Sequence, residues 1–95
     1  MAEVTIKLFG VLRMDTHLAN EKVQAEKLTD IFSLLNERAD ALYRERAAAK
    51  PGLPHPAPLS FHDAIVYING DRCTGKRRLL KDGDEIWLLS PASGG

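Results

Sequence analysis

Apolar and polar residues alternate at the start of the chain, over residues 3–12. The alternating apolar residues are Val4, Ile6 and Leu8. A period of two predicts a β-strand with one buried face. The polar segment at residues 15–17 predicts a turn, and the weakly hydrophobic stretch at residues 17–23 predicts an edge strand that pairs back as a hairpin.

The period changes to three and four residues after Thr29. One apolar stripe is formed by Ile31, Leu34, Leu35, Ala39 and Leu42. This spacing predicts an amphipathic helix of about four turns. Thr29 is the predicted N-cap, and Asp30 complements the positive end of the helix dipole. Residues 47–49 extend the helix, and Lys50-Pro51-Gly52 should end it because proline lacks the N–H group and glycine tolerates a positive φ.

Three further extended segments follow a loop with four prolines at residues 51–58. Residues 64–68 predict a strand that reverses at Asn69-Gly70, residues 72–74 a short return strand, and residues 85–89 a closing strand after a tight turn at residues 81–84. One helix and four to five strands predict an α+β domain, with the helix packed across one face of a mixed sheet. We expect one domain over residues 1–89, including the proline-rich surface loop, and a flexible tail over residues 90–95.

Composition and charge disfavour several classes of function. The 95 residues include 13 Lys and Arg and 13 Asp and Glu, so the formal net charge is zero and no electrostatic binding to nucleic acid or a membrane surface is expected. No apolar run is long enough to span a bilayer, and the start does not resemble a signal peptide, which predicts a cytoplasmic protein. The single cysteine, Cys73, forms no internal disulfide, and His17, His55 and His62 show no metal spacing and no obvious carboxylate partner, so no metal site is expected. The chain also lacks a phosphate-binding glycine loop and a nucleophile elbow, which disfavours self-contained catalysis.

The tail is the most informative stretch. It has no large side chain and ends in Gly94-Gly95. Two glycines without Cβ atoms allow a backbone to thread a narrow tunnel and present its carboxylate to the active site of another protein. Acyl transfer from that carboxylate needs prior activation, for example as a mixed anhydride with AMP. The alternative is an inert tail whose glycines are accidental.

The ordered pattern resembles the β-grasp, ubiquitin-like sulfur carriers, and is most similar to MoaD-like small subunits of molybdopterin synthase. The resemblance rests on the first strand, the single helix, the strand and turn at residues 65–70, the Asp82-Gly83-Asp84 segment and the Gly-Gly end. It implies that a ubiquitin-activating-type adenylyltransferase uses ATP to adenylate Gly95. A sulfur donor protein then converts Gly95 to a thiocarboxylate, while Pro91, Ala92, Ser93 and Gly94 contact the partner.

The resemblance also implies that the chain gives its sulfur to molybdenum cofactor biosynthesis, within a complex with the synthase large subunit. The catalytic side chains would then lie on partners, and the chain itself would bind no cofactor.

Strand alternation places a partner surface independently of the family. If Ile86 and Leu88 face the helix, the opposite face carries Phe9, Tyr67, Trp87 and Leu89. An apolar patch on an open sheet face indicates an interaction site, and Trp87 is the expected anchor. The alternative is that loop 51–58 folds over these rings. The sequence also has four exposed cations that form either a solvated edge or a site for an acidic partner or a phosphate: Arg72, Lys76, Arg77 and Arg78.

Other functions fit the same residues. The activated Gly95 carboxylate can meet a lysine amine instead of sulfur, which would make the chain a ubiquitin-like protein modifier. Sulfur carriers for thiamin, cysteine or tungsten cofactor biosynthesis are close variants of the carrier for molybdenum cofactor biosynthesis. A binding module that uses the Trp87 face and has an inert tail is the third class.

Overall fold

Five strands form one mixed sheet in the computed structural model, which describes residues 1–53, 55 and 58–90. The strands are β1 (Ala2–Leu8), β2 (Asn20–Ala25), β3 (Ile65–Ile68), β4 (Asp71–Cys73) and β5 (Glu85–Leu89). Their order across the sheet is β2-β1-β5-β3-β4. The β1 and β5 strands run parallel, and the other neighbours are antiparallel. The predicted mixed sheet is confirmed, including the weakly hydrophobic β2 strand at an edge.

The main helix, α2 (Leu28–Ala49), packs across one face of this sheet. Its side chains at Leu28, Ile31 and Leu35 are fully buried. The helix begins two residues earlier than a cap at Thr29 predicts, so Thr29 is not its cap. The N-cap is Lys27, whose extended backbone N–H donates to Asp30 Oδ2 at 3.1 Å. The carboxylate three residues into the helix thus satisfies a backbone donor at its start.

A second, shorter helix, α1 (Gly10–Thr16), corrects the prediction of a strand up to Leu12 and a turn at residues 15–17. The strand ends at Leu8, and Gly10 has a φ of 59° that an extended strand does not allow. Leu12 and Thr16, four residues apart, are both buried, and the Thr16 hydroxyl donates to the Leu12 carbonyl at 2.7 Å. Burial at helical spacing therefore replaces the expected extension of the strand.

Two turns that are hydrogen-bonded to each other lie at the end of the sheet opposite α1. Asn69 and Gly70 both have positive φ values, 53° and 89°, so they form the predicted tight turn between β3 and β4. The Asn69 side chain donates to Asp84 Oδ1 and accepts from the Glu85 N–H, each at 2.9 Å. Asp84 also accepts from the Lys81 N–H, which explains how a buried carboxylate is satisfied.

The described part of the proline-rich loop lies against α2. The Tyr43 hydroxyl donates to the Leu53 carbonyl at 2.9 Å. Directly after the loop, the Asn36 side chain accepts from the Leu59 N–H at 2.7 Å and donates to the Leu59 carbonyl at 2.9 Å. His55 Nε2 is 2.9 Å from Asp40 Oδ1, so this histidine does have a carboxylate partner, which the sequence did not reveal. A 3-10 turn at Phe61–Asp63 leads into β3. Neither helix in the described residues has the length and apolar character needed to cross a membrane.

Candidate protein-docking face

The sheet face opposite α2 is open along β5. Ile86 and Leu88 are completely buried on the α2 side, as alternation predicts, whereas Trp87 is 38% exposed on the other side. The same alternation in β3 buries Val66 and Ile68. The face that carries Trp87 is therefore accessible to another protein.

An aromatic cluster lies on this face. The Phe9 and Trp87 rings meet edge to face, with their centroids 5.6 Å apart. Tyr67 is directly opposite Trp87 in the β3–β5 pairing, and Leu89 is half-buried two residues further along β5. We call Phe9, Tyr67, Trp87 and Leu89 the outer-face cluster. Phe9 is 37% exposed and Trp87 38%, and the described residues Leu53 and His55 of loop 51–58 contact α2 instead, so they do not cover these two rings.

Glu85 fixes the orientation of the Trp87 indole. The indole Nε1–H donates to Glu85 Oε1 at 2.6 Å, and Lys7 Nζ is 3.2 Å from the same oxygen. The hydrogen bond from Trp87, and then the one from Lys7, lowers the pKa of Glu85 below its usual value of 4.5. Sequence analysis missed this role of Glu85. The available signal was its i,i+2 spacing to Trp87, which places both side chains on one face of a strand.

We expect the emission of Trp87, the single tryptophan, to report the titration of Glu85. The pKa of Glu85 is lower in the folded protein than in the unfolded chain. Its contribution to stability is therefore present above the unfolded pKa and is lost as the pH falls through the folded pKa. Wild-type fluorescence should therefore change with a midpoint below 4.5, and the transition should be absent in Glu85→Gln, which keeps an acceptor but does not titrate. Superimposable pH curves for the two proteins would contradict the assignment.

The outer-face cluster is next to the end of the last strand. The Phe9 N–H donates to the Leu88 carbonyl at 3.0 Å, so the start of α1 and the end of β5 lie side by side. The residues predicted to react or to contact the partner in the tail are Pro91, Ala92, Ser93, Gly94 and Gly95, and they lie outside the described residues. The chain therefore leaves the sheet beside its exposed aromatic rings.

The remaining sequence candidates are not part of the outer-face cluster, although Arg72 is the cross-strand neighbour of Tyr67. Arg72 is exposed on β4, opposite Tyr67, and residues 76–78 are exposed on the loop that follows. Cys73 is buried, and its thiol donates to the Gly75 carbonyl at 3.4 Å. Within the described ranges, no three His, Cys, Asp or Glu side chains are grouped as metal ligands.

Comparison with solved structures identifies the family. The solution structure of small archaeal modifier protein 1 from Methanosarcina acetivorans is 33% identical to this chain, with a TM-score of 0.69. The match covers 100% of this chain and 98% of that one. The chain belongs to the ubiquitin-like β-grasp family of MoaD-like carriers and small modifiers.

Two more distant solved structures share the β-grasp fold. Putative molybdopterin converting factor subunit 1 from Pyrococcus furiosus is 17% identical, with a TM-score of 0.65, and the match covers 97% of this chain and all of that one. The complex of molybdopterin-converting factor subunits 1 and 2 from Helicobacter pylori contains a chain that is 22% identical, with a TM-score of 0.51, and the match covers 98% and 99%. No family model and no curated protein matches this sequence.

This β-grasp protein also exposes two apolar side chains that sequence analysis did not select. Val11 and Met14, both on α1, are 52% and 72% exposed. Val11 was missed because residues 3–12 were interpreted as a strand, and Met14 because it was assigned to no element. The usable signal was the pair Leu12 and Thr16, whose i,i+4 spacing is that of a helix face.

Proposed function

We propose that this chain is a cytoplasmic sulfur carrier that acts as the small subunit of a molybdopterin synthase. The observation that carries the proposal is the position of the outer-face cluster beside the end of β5, in a β-grasp protein whose sequence continues to Gly94-Gly95. An exposed aromatic cluster supplies the affinity that holds a partner enzyme. A short segment without large side chains then leads from that cluster to the reacting carboxylate.

The proposed chemistry proceeds in two displacements at Gly95. A carboxylate oxygen of Gly95 attacks the α-phosphorus of ATP held by a ubiquitin-activating-type adenylyltransferase, and the bond to pyrophosphate breaks. A hydrosulfide ion from the sulfur donor protein then attacks the acyl carbon, AMP leaves with the electrons of the C–O bond, and the S–H proton is lost to solvent. The product is a thiocarboxylate at Gly95. The chain contributes the acyl group and the docking face, and the catalytic side chains and the nucleotide site belong to its partners.

The acceptor in this proposal is the precursor of the molybdenum cofactor, bound by the synthase large subunit. Support comes from the Helicobacter pylori structure, in which subunit 1 of the molybdopterin-converting factor is in complex with subunit 2. The open outer face agrees with a carrier that works inside a hetero-oligomer.

A second candidate is a protein modifier joined to lysines through Gly95. The match of 33% identity to small archaeal modifier protein 1 favours it. The first displacement is shared, but a lysine ε-amine would then attack the activated acyl carbon, form an isopeptide bond and lose a proton. Both candidates therefore require adenylation of Gly95, and they differ in the nucleophile that follows.

Intact mass spectrometry tests the proposal and separates the two candidates. The chain is incubated with an adenylyltransferase from the same organism, ATP and sulfide, with and without the synthase large subunit. We expect a mass gain equal to the replacement of one oxygen by sulfur, which is lost again when large subunit and cofactor precursor are added. Adducts on lysines of added protein without any sulfur gain would instead support the modifier.

A further inference from the structure

The α1 helix holds two exposed apolar residues in a fixed position. Leu12 and Thr16 anchor α1 in the core, and the Thr16 hydroxyl bonds both the Leu12 carbonyl and the Leu18 N–H. Val11 and Met14 are three residues apart and hence on one side of the helix, where they are 52% and 72% exposed. A small helix that is anchored on one side presents an apolar pair to solvent on the other.

This pair lies at the end of the sheet from which the tail departs. Phe9 directly precedes α1, donates its N–H to Leu88 at 3.0 Å and packs its ring against Trp87. The six residues from Ser90 to Gly95 can extend over roughly 20 Å. An enzyme that acts on the Gly95 carboxylate must bring its active site within that distance of the end of β5. Because Phe9 joins the start of α1 to the end of β5, α1 lies within that same distance of the point where the tail departs.

We propose that Val11 and Met14 form a second contact for the adenylating enzyme, continuous with the outer-face cluster. This inference rests on the proposed function, because it takes Gly95 as the reacting residue. The adenylating enzyme is the partner that both candidate functions require, whereas the acceptor differs between them. An apolar surface on α1 next to the outer-face cluster would orient the chain, so that the tail points into the nucleotide site rather than across it.

The test uses the full chain and its adenylating enzyme in ATP–pyrophosphate exchange. The variant Val11→Thr/Met14→Gln keeps side-chain size nearly constant and replaces apolar groups by polar ones. We expect the KM for the chain to rise roughly tenfold with little change in kcat, because docking is weakened and the reacting carboxylate is untouched. Met14→Gln alone should show a smaller rise in the same direction.

Leu79→Gln is the matched control. Leu79 is 64% exposed and pairs with Lys27 at the start of α2, at the other end of the sheet. The KM of the Leu79→Gln variant should equal that of the wild type, and all variants should share one denaturation midpoint. A wild-type KM in the double variant, an equal rise in Leu79→Gln, or a defect confined to sulfur transfer to the large subunit would each overturn the proposal. If the wild-type chain supports no ATP–pyrophosphate exchange with an enzyme that is active on another carrier, the proposed function is contradicted. This inference then fails with it.

Discussion

Deletion of Gly95 should abolish adenylation of the chain. The deletion moves the terminal carboxylate back by one residue, about 3.6 Å along an extended backbone. A displacement of about 1 Å from attack geometry already costs on the order of a hundredfold in rate. We therefore expect ATP–pyrophosphate exchange to fall by at least that factor, and the sulfur-dependent mass gain to disappear.

Binding should survive the same deletion. The outer-face cluster and the sheet end before residue 90, so the Gly95-deleted chain should unfold at the wild-type denaturant midpoint. Calorimetry should also show that it still binds the adenylating enzyme. Exchange at the wild-type rate by the deleted chain would contradict a role for Gly95 in the chemistry. It would leave the inert-tail binding module as the better description.

Replacement of Trp87 by alanine should weaken both partner complexes. Trp87 is 38% exposed at the centre of the outer-face cluster, and central aromatic residues are the common hot spots of protein interfaces. The expected loss is about 2 kcal/mol or more, which corresponds to roughly thirtyfold in Kd. Isothermal calorimetry with the adenylating enzyme and with the synthase large subunit measures it.

A conservative variant separates docking from folding. Trp87→Phe keeps an aromatic ring against Phe9 and loses only the hydrogen bond to Glu85, so it should lose less affinity than Trp87→Ala. The free energy of unfolding of Trp87→Ala should fall by only about 1 kcal/mol beyond the lost area burial, the usual value of an edge-to-face pair. Unchanged affinity of Trp87→Ala for both partners would remove the outer face from the docking surface.

The Gly95 deletion and the Trp87→Ala substitution test different parts of one process. Gly95 is proposed to supply the reacting group, and Trp87 is proposed to supply affinity. We expect the first change to lower kcat with binding intact, and the second to raise KM with chemistry intact at saturation. Such a division is what a carrier needs, because its enzymes must bind the folded domain while they act on the end of the chain.

Local patterns in the sequence were sufficient for most of the fold. Alternation over residues 64–68 and 85–89 identified β3 and β5 and the direction of Trp87, since successive side chains in a strand point to opposite faces. Asn69-Gly70 identified the turn because few other pairs adopt two positive φ values. The stripe at Ile31 and Leu35 identified α2 for a similar reason, since both residues share one helix face.

Two predictions were wrong because the sequence patterns behind them are short or mixed: the segment that forms α1 and the N-cap of α2. The α1 helix has only seven residues, and its buried side amounts to Leu12 and Thr16, too few positions to distinguish a helix from the end of the preceding strand. The N-cap of α2 was misplaced for a related reason. Thr29 has a suitable hydroxyl, but the extended backbone of Lys27 and its bond to Asp30 begin the helix earlier.

The sequence by itself determined which residues of β5 point away from the helix, and it identified the Gly94-Gly95 end. These properties depend on neighbours along the chain. Only the tertiary structure decided that Lys7 joins Glu85 and that Phe9 packs on Trp87, because both contacts require β1 to pair in parallel with β5 across almost eighty residues. Pairing between strands so distant in sequence depends on the packing of the whole core, and no local period encodes it.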